Sequence, residues 1–248
     1  MEKKYELIDN PKEITDCYGV EHYVYQIRAL KDFGDVRAGD LGGWIESEKN
    51  LSHDGFCWVY GDGVVAGNAE VRDDAFVSGL GMACGNAVIC EHASVGGKAS
   101  ICGSSMMKGA ASIHDHVKIF DESLLAGNTS LYGLISVRDK TVLMNVRLCG
   151  DFRIVANADI RSKNDIVIIE GIGRQNRTSI AYKTSNGCII VCCGCFTGYL
   201  SEFEERVIET YGRNEFAQEY LSFINIVKIH FWIELKWRCE HGKEVRAD

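Results

Sequence analysis

Arginines are the side chains of this chain whose number and spacing point most clearly to ligand binding. Residues 145–185 contain seven basic residues and four acids, a local charge of +3 in a chain of net charge −8. Guanidinium groups bind phosphate or carboxylate through two parallel hydrogen bonds. The segment therefore predicts a site for a small anionic ligand; the alternative is a solvated surface with salt bridges between subunits. The candidate ligand-binding residues are Arg147, Arg153, Arg161, Lys163, Arg174 and Arg177.

A second candidate site is a cysteine cluster formed by Cys188, Cys192, Cys193 and Cys195. Structural zinc sites usually combine two separated pairs of Cys or His ligands. Here all four cysteines belong to one predicted strand and its exit. Side chains alternate along a strand, so Cys192 faces away from Cys193 and Cys195. We therefore predict buried thiols at these positions and no metal site.

The elements that must position these side chains are set by a repeat of six residues. Counting from Val59 in steps of six, fifteen consecutive positions up to Leu143 are apolar. The count slips by one residue before Leu148 and resumes at Ile154, Ile160 and Ile166. In the fourteen hexads from Val59 to Val137, the third position is Gly, Asp or, once, Glu, residue types that suit tight bends. Three hexads then form one triangular coil, in which each residue stacks on the residue eighteen positions later.

The repeat resembles the hexapeptide-repeat, left-handed parallel β-helix superfamily, which has the trimeric acyltransferase-like fold. The resemblance is carried by units such as Val65-Ala66-Gly67-Asn68-Ala69 and Val71-Arg72-Asp73-Asp74-Ala75 and covers residues 59 to about 166. It implies left-handed winding and a homotrimer whose prisms pack side by side. The chain also resembles uncharacterised repeat proteins of bacterial and phage genomes.

Histidines are candidates for catalysis because acyltransferases with this repeat generally use one as a general base. If the chain is such an enzyme, the candidates are His92, His114 and His116. His92 and His116 lie one coil plus one hexad apart, which places them on different edges. The family's enzymes typically carry a protruding loop or a helical extension that shapes the acyl-donor pocket, yet this repeat is uninterrupted from Val59 to Leu143. The pattern favours exposed or interfacial histidines over catalytic ones.

The segments on either side of the repeat predict caps. Residues 1–58 contain a strand from Tyr23 to Leu30, and Trp44 and Trp58 are predicted to plug the open end of the β-helix. Residues 59–165 form the β-helix itself. Residues 166–248 predict a small α+β domain. Its elements are a strand over 166–172, a hairpin of 178–182 and 188–193 around an Asn-Gly turn, a helix from a Ser201/Glu204 capping box to about 211, and a helix from Asn214 to about 235.

Composition limits the classes of function. The acidic net charge argues against a dedicated nucleic-acid binder, and no apolar run is long enough to cross a bilayer. Eleven cysteines without an N-terminal apolar run predict free thiols in a reducing, cytoplasmic compartment, which is the host cytoplasm if the chain is phage-encoded.

Three hypotheses about function follow. The first is a non-enzymatic, self-associating binding protein without a cofactor. By resemblance to phage proteins, it would act in counter-defence, either sequestering a small anionic ligand such as a cyclic nucleotide or blocking a defence protein. The alternative is an acyltransferase that uses a CoA thioester. The third is a capsid-associated assembly component.

Overall fold

The computed structural model describes residues 3–232 and two short strands, 238–240 and 243–245. Before the repeat come β1 (Tyr5–Leu7), β2 (Lys12–Thr15), β3 (Glu21–Ala29), β4 (Leu41–Ile45) and a 3₁₀ helix (Glu48–Asn50). The repeat comprises β5 (Trp58–Val59), β6 (Val64–Val65), β7 (Glu70–Val71), β8 (Phe76–Val77), β9 (Met82–Ala83), β10 (Val88–Ile89), β11 (Ser94–Val95), β12 (Ser100–Ile101), β13 (Met106–Met107), β14 (Ser112–Ile113), β15 (Lys118–Ile119), β16 (Leu124–Ala126), β17 (Ser130–Gly133), β18 (Ser136–Val137), β19 (Val142–Met144), β20 (Arg147–Gly150), β21 (Arg153–Ile154) and β22 (Asp159–Ile160).

After the repeat come a second 3₁₀ helix (Lys163–Asp165), four strands, two helices and a final strand pair. These are β23 (Ile166–Ile172), β24 (Arg177–Lys183), β25 (Ile189–Cys193), β26 (Phe196–Tyr199), α1 (Leu200–Tyr211), α2 (Glu215–His230), β27 (Arg238–Glu240) and β28 (Lys243–Val245).

The repeat folds into a parallel β-solenoid, as predicted. Its strands form three sheets: face 1 is β4-β6-β9-β12-β15-β18-β21, face 2 is β5-β8-β11-β14-β17-β20, and face 3 is β7-β10-β13-β16-β19-β22. Val95 pairs with Ile113, which confirms stacking at eighteen residues. The first residue of each hexad is fully buried and points into the shared core.

The corners of the coil lie at the third hexad position, and they adopt the left-handed conformation that the residue types predict. Gly67 has φ 65° and Asp73 has φ 59°. Gly67 also sits against the backbone of Gly85 in the next coil, 3.2 Å from where its Cβ would be, so side chains have little room there. Small residues and acids at this position let consecutive coils stack closely.

The one-residue slip after Leu143 is accommodated without interrupting the sheets. Beyond it, Leu131 pairs with Leu148 and Val137 with Ile154, so the stacking interval changes from eighteen residues to seventeen. Asn145 takes the corner with φ 54°. Its Oδ1 accepts the backbone N–H of Asn128 at 3.1 Å, so the side chain joins the shortened coil to the previous one.

The N-terminal segment closes the first end of the solenoid, but one of the two tryptophans does not contribute as predicted. Trp58 is 1% exposed and packs edge-on against Phe33. The prediction for Trp44 is wrong: it is half-buried on the outer side of face 1, beneath Lys12. Its neighbour Ile45 points into the core, and alternation along β4 therefore turns Trp44 outward.

The C-terminal segment closes the other end with an antiparallel sheet in the order β23-β24-β25-β26. The predicted first strand and the hairpin are confirmed. One side of this sheet, including Ile180 and Tyr182, joins the core of the solenoid. The opposite side, including Ala181 and Val191, packs against α1 and α2. This sheet therefore caps its own solenoid.

Both helices are present, with corrected boundaries. The capping box predicted at Ser201/Glu204 is wrong, because α1 begins at Leu200 and Glu202 accepts the backbone N–H of Tyr199 at 2.8 Å. Helix α2 begins after Asn214 as predicted, and the side chain of Asn214 accepts the N–H of Ala217. It ends at His230 rather than near residue 235, and residues 233–237 lie outside the described residues.

The prediction that every cysteine is a free thiol is wrong for one pair. Cys17 and Cys102 form a disulfide, because the turn after β2 lies on the outer side of face 1, where Cys102 is buried. Among the described residues, the free thiols include Cys57, Cys84, Cys90, Cys149, Cys192, Cys193 and Cys195. Among the described residues, no helix is both long and apolar enough to cross a membrane.

Candidate anion-binding groove

A groove runs along the boundary between the last coils of face 1 and the C-terminal sheet. Its first part has a volume of about 530 Å³. It continues past Ser136 and Arg153 into a second part of about 600 Å³. We call this the arginine groove. Its lining includes Ser136, Arg138 and Arg153 from the solenoid and Gln175, Arg177, Gly194 and Thr197 from the C-terminal sheet.

The solenoid side of the groove is built by stacking of equivalent positions. Lys118, Ser136 and Arg153 occupy the same outward position in three successive coils of face 1. Because the slip shortens the last interval to seventeen residues, it is Arg153 that completes this row. The core residues beside them, Ile119, Val137 and Ile154, keep the row turned outward.

Arg153 crosses from the solenoid to the C-terminal sheet. Its Nη2 donates to the carbonyl of Gly194 at 3.1 Å and reaches the carbonyl of Phe196 at 3.5 Å. Its Nε is buried and has no acceptor among the described residues. A buried donor left without a partner costs about 1–3 kcal/mol, so it is rarely retained without a reason. An anion in the groove would supply the missing acceptor.

Arg177 lies on the other side of the same turn. Gly194 has φ +57° between β25 and β26, and a Cβ there would overlap the guanidinium of Arg177. Arg177 also donates to Gln175, which lines the first part of the groove. Gly194 therefore lets two guanidinium groups approach the same turn, one at its carbonyl and one at its Cα.

A third arginine in the lining, Arg138, was not among the predicted site residues. Its guanidinium lies 4.6 Å from the ring centre of Phe120 in the coil below, and Phe120 is held by Tyr18 of the N-terminal segment. The stacking register could have revealed it, because Arg138 lies two residues after Ser136, the stacking partner of Arg153 on face 1. With Asp151 also present, the lining carries more positive than negative groups.

The structure brings together two of the six predicted ligand-binding residues, Arg153 and Arg177. The other four lie apart from the described lining. Arg147 is on face 2 above the ring of Tyr132, and Arg161 is paired with Asp159 at 2.8 Å. Lys163 lies in the second 3₁₀ helix, and Arg174 is exposed in the turn before β24.

The three candidate histidines also lie outside the described lining of the groove. His92 is exposed, and its Nδ1 is 3.5 Å from Asp74. His114 is exposed on face 2, stacked near Tyr132, and its ring occupies the space that a side chain at Gly96 would need. His116 is exposed at a corner. The structure does not bring these histidines to one site.

The C-terminal cysteines are placed as the alternation of strand β25 predicts. Cys192 faces the solenoid, where its Sγ is 3.3 Å from the hydroxyl of Tyr182. Cys193 faces the helices and lies 3.1 Å from the hydroxyl of Ser179. The prediction of a buried thiol is wrong for Cys195, which is exposed because it lies in the turn beyond the end of β25. Among the described residues, three cysteine sulfurs come within 4.8 Å of one another at a different place, at Cys17, Cys84 and Cys102.

Comparison with known proteins gives partial support for a relationship. No family model matches the chain. A segment is similar to the uncharacterized acetyltransferase YdcK of Escherichia coli (strain K12), with 43% identity over 53 residues. The match covers 18% of this chain and 16% of YdcK, so it spans far less than two thirds of that relative. The chain is thus a hexapeptide-repeat solenoid with a distant, local similarity to an acetyltransferase.

Proposed function

We propose that this chain is a non-enzymatic binding protein that holds a small anionic molecule, such as a nucleotide, in the arginine groove. The observation that carries the proposal is the buried Nε of Arg153, which has no acceptor among the described residues. A phosphate or carboxylate oxygen accepts from a guanidinium Nε–H and its neighbouring Nη–H together. Arg177 and Arg138 add positive charge along the same groove.

Binding rather than catalysis is favoured by what surrounds Arg153. Its partners are backbone carbonyls, and the candidate general bases lie away from the groove. Guanidinium groups remain protonated at physiological pH and serve to hold an anion rather than to accept its proton. A narrower form of this proposal is a role in counter-defence. In that form, the captured anion is an immune nucleotide signal.

The test is calorimetric titration of the purified protein with ATP, AMP, 3′,5′-cyclic AMP and inorganic pyrophosphate. We expect saturable binding of at least one phosphate-bearing probe. Arg153→Gln should weaken it about tenfold or more, because a hydrogen bond to a charged group contributes about 1.5–3 kcal/mol. Arg153→Lys keeps the charge but removes the Nε–H and should also weaken binding.

The matched controls are Arg147→Gln and Arg161→Gln, which remove the same charge outside the groove. They should leave affinity within about twofold, since the long-range effect of an exposed charge is screened. Equal losses in all three variants would show that only overall charge matters. No heat with any probe, and no phosphate compound in the purified protein, would remove the proposal.

The second candidate function is acyl transfer from a CoA thioester, favoured by the local similarity to YdcK. In this hypothesis His92, His114 or His116 removes a proton from the acceptor as it attacks the thioester. Of the three, His92 has a carboxylate close enough to orient it, Asp74 at 3.5 Å.

The two candidates differ in what happens to the bound ligand. Incubation with acetyl-CoA and a panel of amine and hydroxyl acceptors should release free CoA only if the chain is an acyltransferase. A single His→Ala substitution should then abolish release without changing the oligomer. Binding of CoA without release would support the binding protein.

A further inference from the structure

The cluster of Cys17, Cys84 and Cys102 lies on the outer side of face 1, well before the arginine groove along the solenoid. Cys84 and Cys102 occupy the same position in two consecutive coils, next to the core residues Ala83 and Ile101. Both are fully buried, because the turn after β2 covers them and brings Cys17 over the pair. The three sulfur atoms lie within 4.8 Å of one another.

We propose that these three cysteines, in their reduced form, bind one thiophilic metal ion such as Zn²⁺ and thereby fasten the N-terminal hairpin to the solenoid. Structural zinc sites of this kind use three or four thiolates in a closed tetrahedral arrangement. The ligands come from two separate parts of the chain, as is usual for such sites, whereas Cys188, Cys192, Cys193 and Cys195 all lie in or directly beside one strand, β25.

The spacing of the cluster suits a shared ion once the bond between Cys17 and Cys102 is reduced and their sulfurs separate. With Zn–S bonds of about 2.3 Å, two sulfurs of a tetrahedral site lie about 3.8 Å apart. The Sγ atoms of Cys17 and Cys84 are 3.3 Å apart. The Cα atoms of the bonded pair, Cys17 and Cys102, are 7.2 Å apart, wider than the 4.4–6.8 Å usual for a disulfide. A metal ion between the sulfurs accommodates that wider spacing.

A buried carboxylate lies beside the cluster and is the nearest candidate for a fourth ligand. The side chain of Asp16 is 4% exposed and accepts the backbone N–H groups of Tyr18 and Val20. His22 lies 3.3 Å from its other oxygen and 2.9 Å from Glu46. Ligating carboxylates are normally held by such outer hydrogen bonds. Asp16 is therefore already oriented by its surroundings.

The disulfide form is converted to the metal-bound form in two steps. A phosphine reductant and one water convert the disulfide to two thiols and a phosphine oxide. Zn²⁺ then displaces one proton from each of the three thiols and forms three Zn–S bonds. The positive charge of the bound ion then stabilises the three thiolates.

The test uses the full chain, reduced with a phosphine under anaerobic conditions and titrated with Co²⁺ as the spectroscopic probe. We expect about one ion per chain, with thiolate-to-cobalt charge-transfer absorption and the visible bands of tetrahedral coordination, both removed by Zn²⁺. Zn²⁺ should also raise the melting temperature of the reduced protein and protect the turn after β2 from proteolysis.

Cys17→Ser should abolish the charge-transfer band, and because Cys17 lies in a surface turn this variant is expected to fold. The double variant Cys84→Ser/Cys102→Ser should do the same. Cys90→Ser is the matched control, since Cys90 is equally buried but lies on face 3. Asp16→Asn should change the visible bands while keeping the thiolate absorption if Asp16 is the fourth ligand.

Several outcomes would overturn the proposal. Absence of cobalt–thiolate absorption in the reduced protein would do so, as would a band that persists in Cys17→Ser. The proposal would also fail if mass spectrometry still found the Cys17–Cys102 disulfide after treatment with the phosphine. None of these outcomes bears on anion binding by Arg153, which remains separately testable.

Discussion

Residues with positive φ mark the corners of the solenoid, and most of them are Gly, Asp or Asn. Glu91 and Ala156 are exceptions, with φ 59° and 58°, and Ala156 lies at the corner before the C-terminal sheet. A non-glycine residue with a Cβ in this conformation costs about 1–2 kcal/mol, and unlike Asn or Asp, Ala has no polar side chain to offset it. The backbone N–H of Ala156 donates to the carboxylate of Asp139 at 2.5 Å, and this hydrogen bond stabilises the corner.

We expect Ala156→Gly to stabilise the protein by about 1 kcal/mol, since glycine adopts positive φ without steric cost. Urea denaturation followed by circular dichroism would measure the change in the free energy of unfolding. Ala87→Gly, at a buried position without positive φ, is the control and should destabilise the protein. A loss of stability in Ala156→Gly would mean that the methyl group contributes more by packing than it costs in the backbone.

Acidic side chains at the corners connect consecutive coils of the solenoid through hydrogen bonds. The carboxylate of Asp73 accepts the N–H of Glu91, that of Glu91 accepts the N–H of Gly109, and that of Asp121 accepts the N–H of Asp139. Each bond joins one corner to the corner eighteen residues later. Acids at this position therefore satisfy a backbone donor in addition to tolerating the bend.

We expect Asp121→Ala to be more destabilising than Asp121→Gly. Both variants remove the acceptor of the Asp139 N–H, but only alanine must also adopt φ 62° with a Cβ. The difference should be about 1 kcal/mol in the free energy of unfolding. Thermal unfolding of the two variants, compared in one buffer, provides the measurement. Equal stabilities would contradict the conformational explanation of the corner.

A buried tyrosine lies near each end of the solenoid. The hydroxyl of Tyr5 donates to the carbonyl of Leu51 at 2.7 Å. The hydroxyl of Tyr182 accepts the N–H of Val155 at 3.0 Å. Burial raises the pKa of both tyrosines far above its ordinary value. Both end caps therefore depend on protonated phenols.

This arrangement predicts alkaline unfolding. Above about pH 10 the unfolded chain releases phenolic protons that the folded protein retains, so the free energy of unfolding must fall as pH rises. Denaturant midpoints measured from neutral to alkaline pH should show that fall. Tyr182→Phe should be about 1 kcal/mol less stable at neutral pH, through loss of its hydrogen bonds, but should decline less steeply. An unchanged slope in this variant would contradict the assignment to Tyr182.

Self-association, implied by resemblance, remains a prediction about the whole molecule. The outer side of face 1 is partly covered by the N-terminal hairpin, whereas face 2 exposes Phe76, and Leu80 follows at the next corner. We expect a homotrimer that packs through face 2. Sedimentation equilibrium should give about three times the 27.5 kDa chain mass, and Phe76→Glu should reduce it. Leu41→Glu, which changes an exposed residue of face 1, should leave the measured mass unchanged.

The site was only partly predictable from the sequence. Arg153 and Arg177 stood out because they are basic residues in an acidic chain. Arg138 did not, because it lies outside that segment and reaches the groove only through stacking of coils. The cluster of Cys17 and Cys102 was missed because the residues are 85 positions apart and their meeting depends on how the hairpin folds back.

The solenoid, its stacking interval and its corners follow from the amino-acid pattern alone, because a short period repeats the same local conformation at every sixth residue. Apolar residues such as Val95 and Ile113 are buried, and Gly or Asp forms most corners, whatever lies further along the chain. Which segment covers which face of the solenoid depends instead on long-range contacts in the folded protein. Those contacts join residues far apart without any period, and they created both the groove around Arg153 and the sulfur cluster around Cys84.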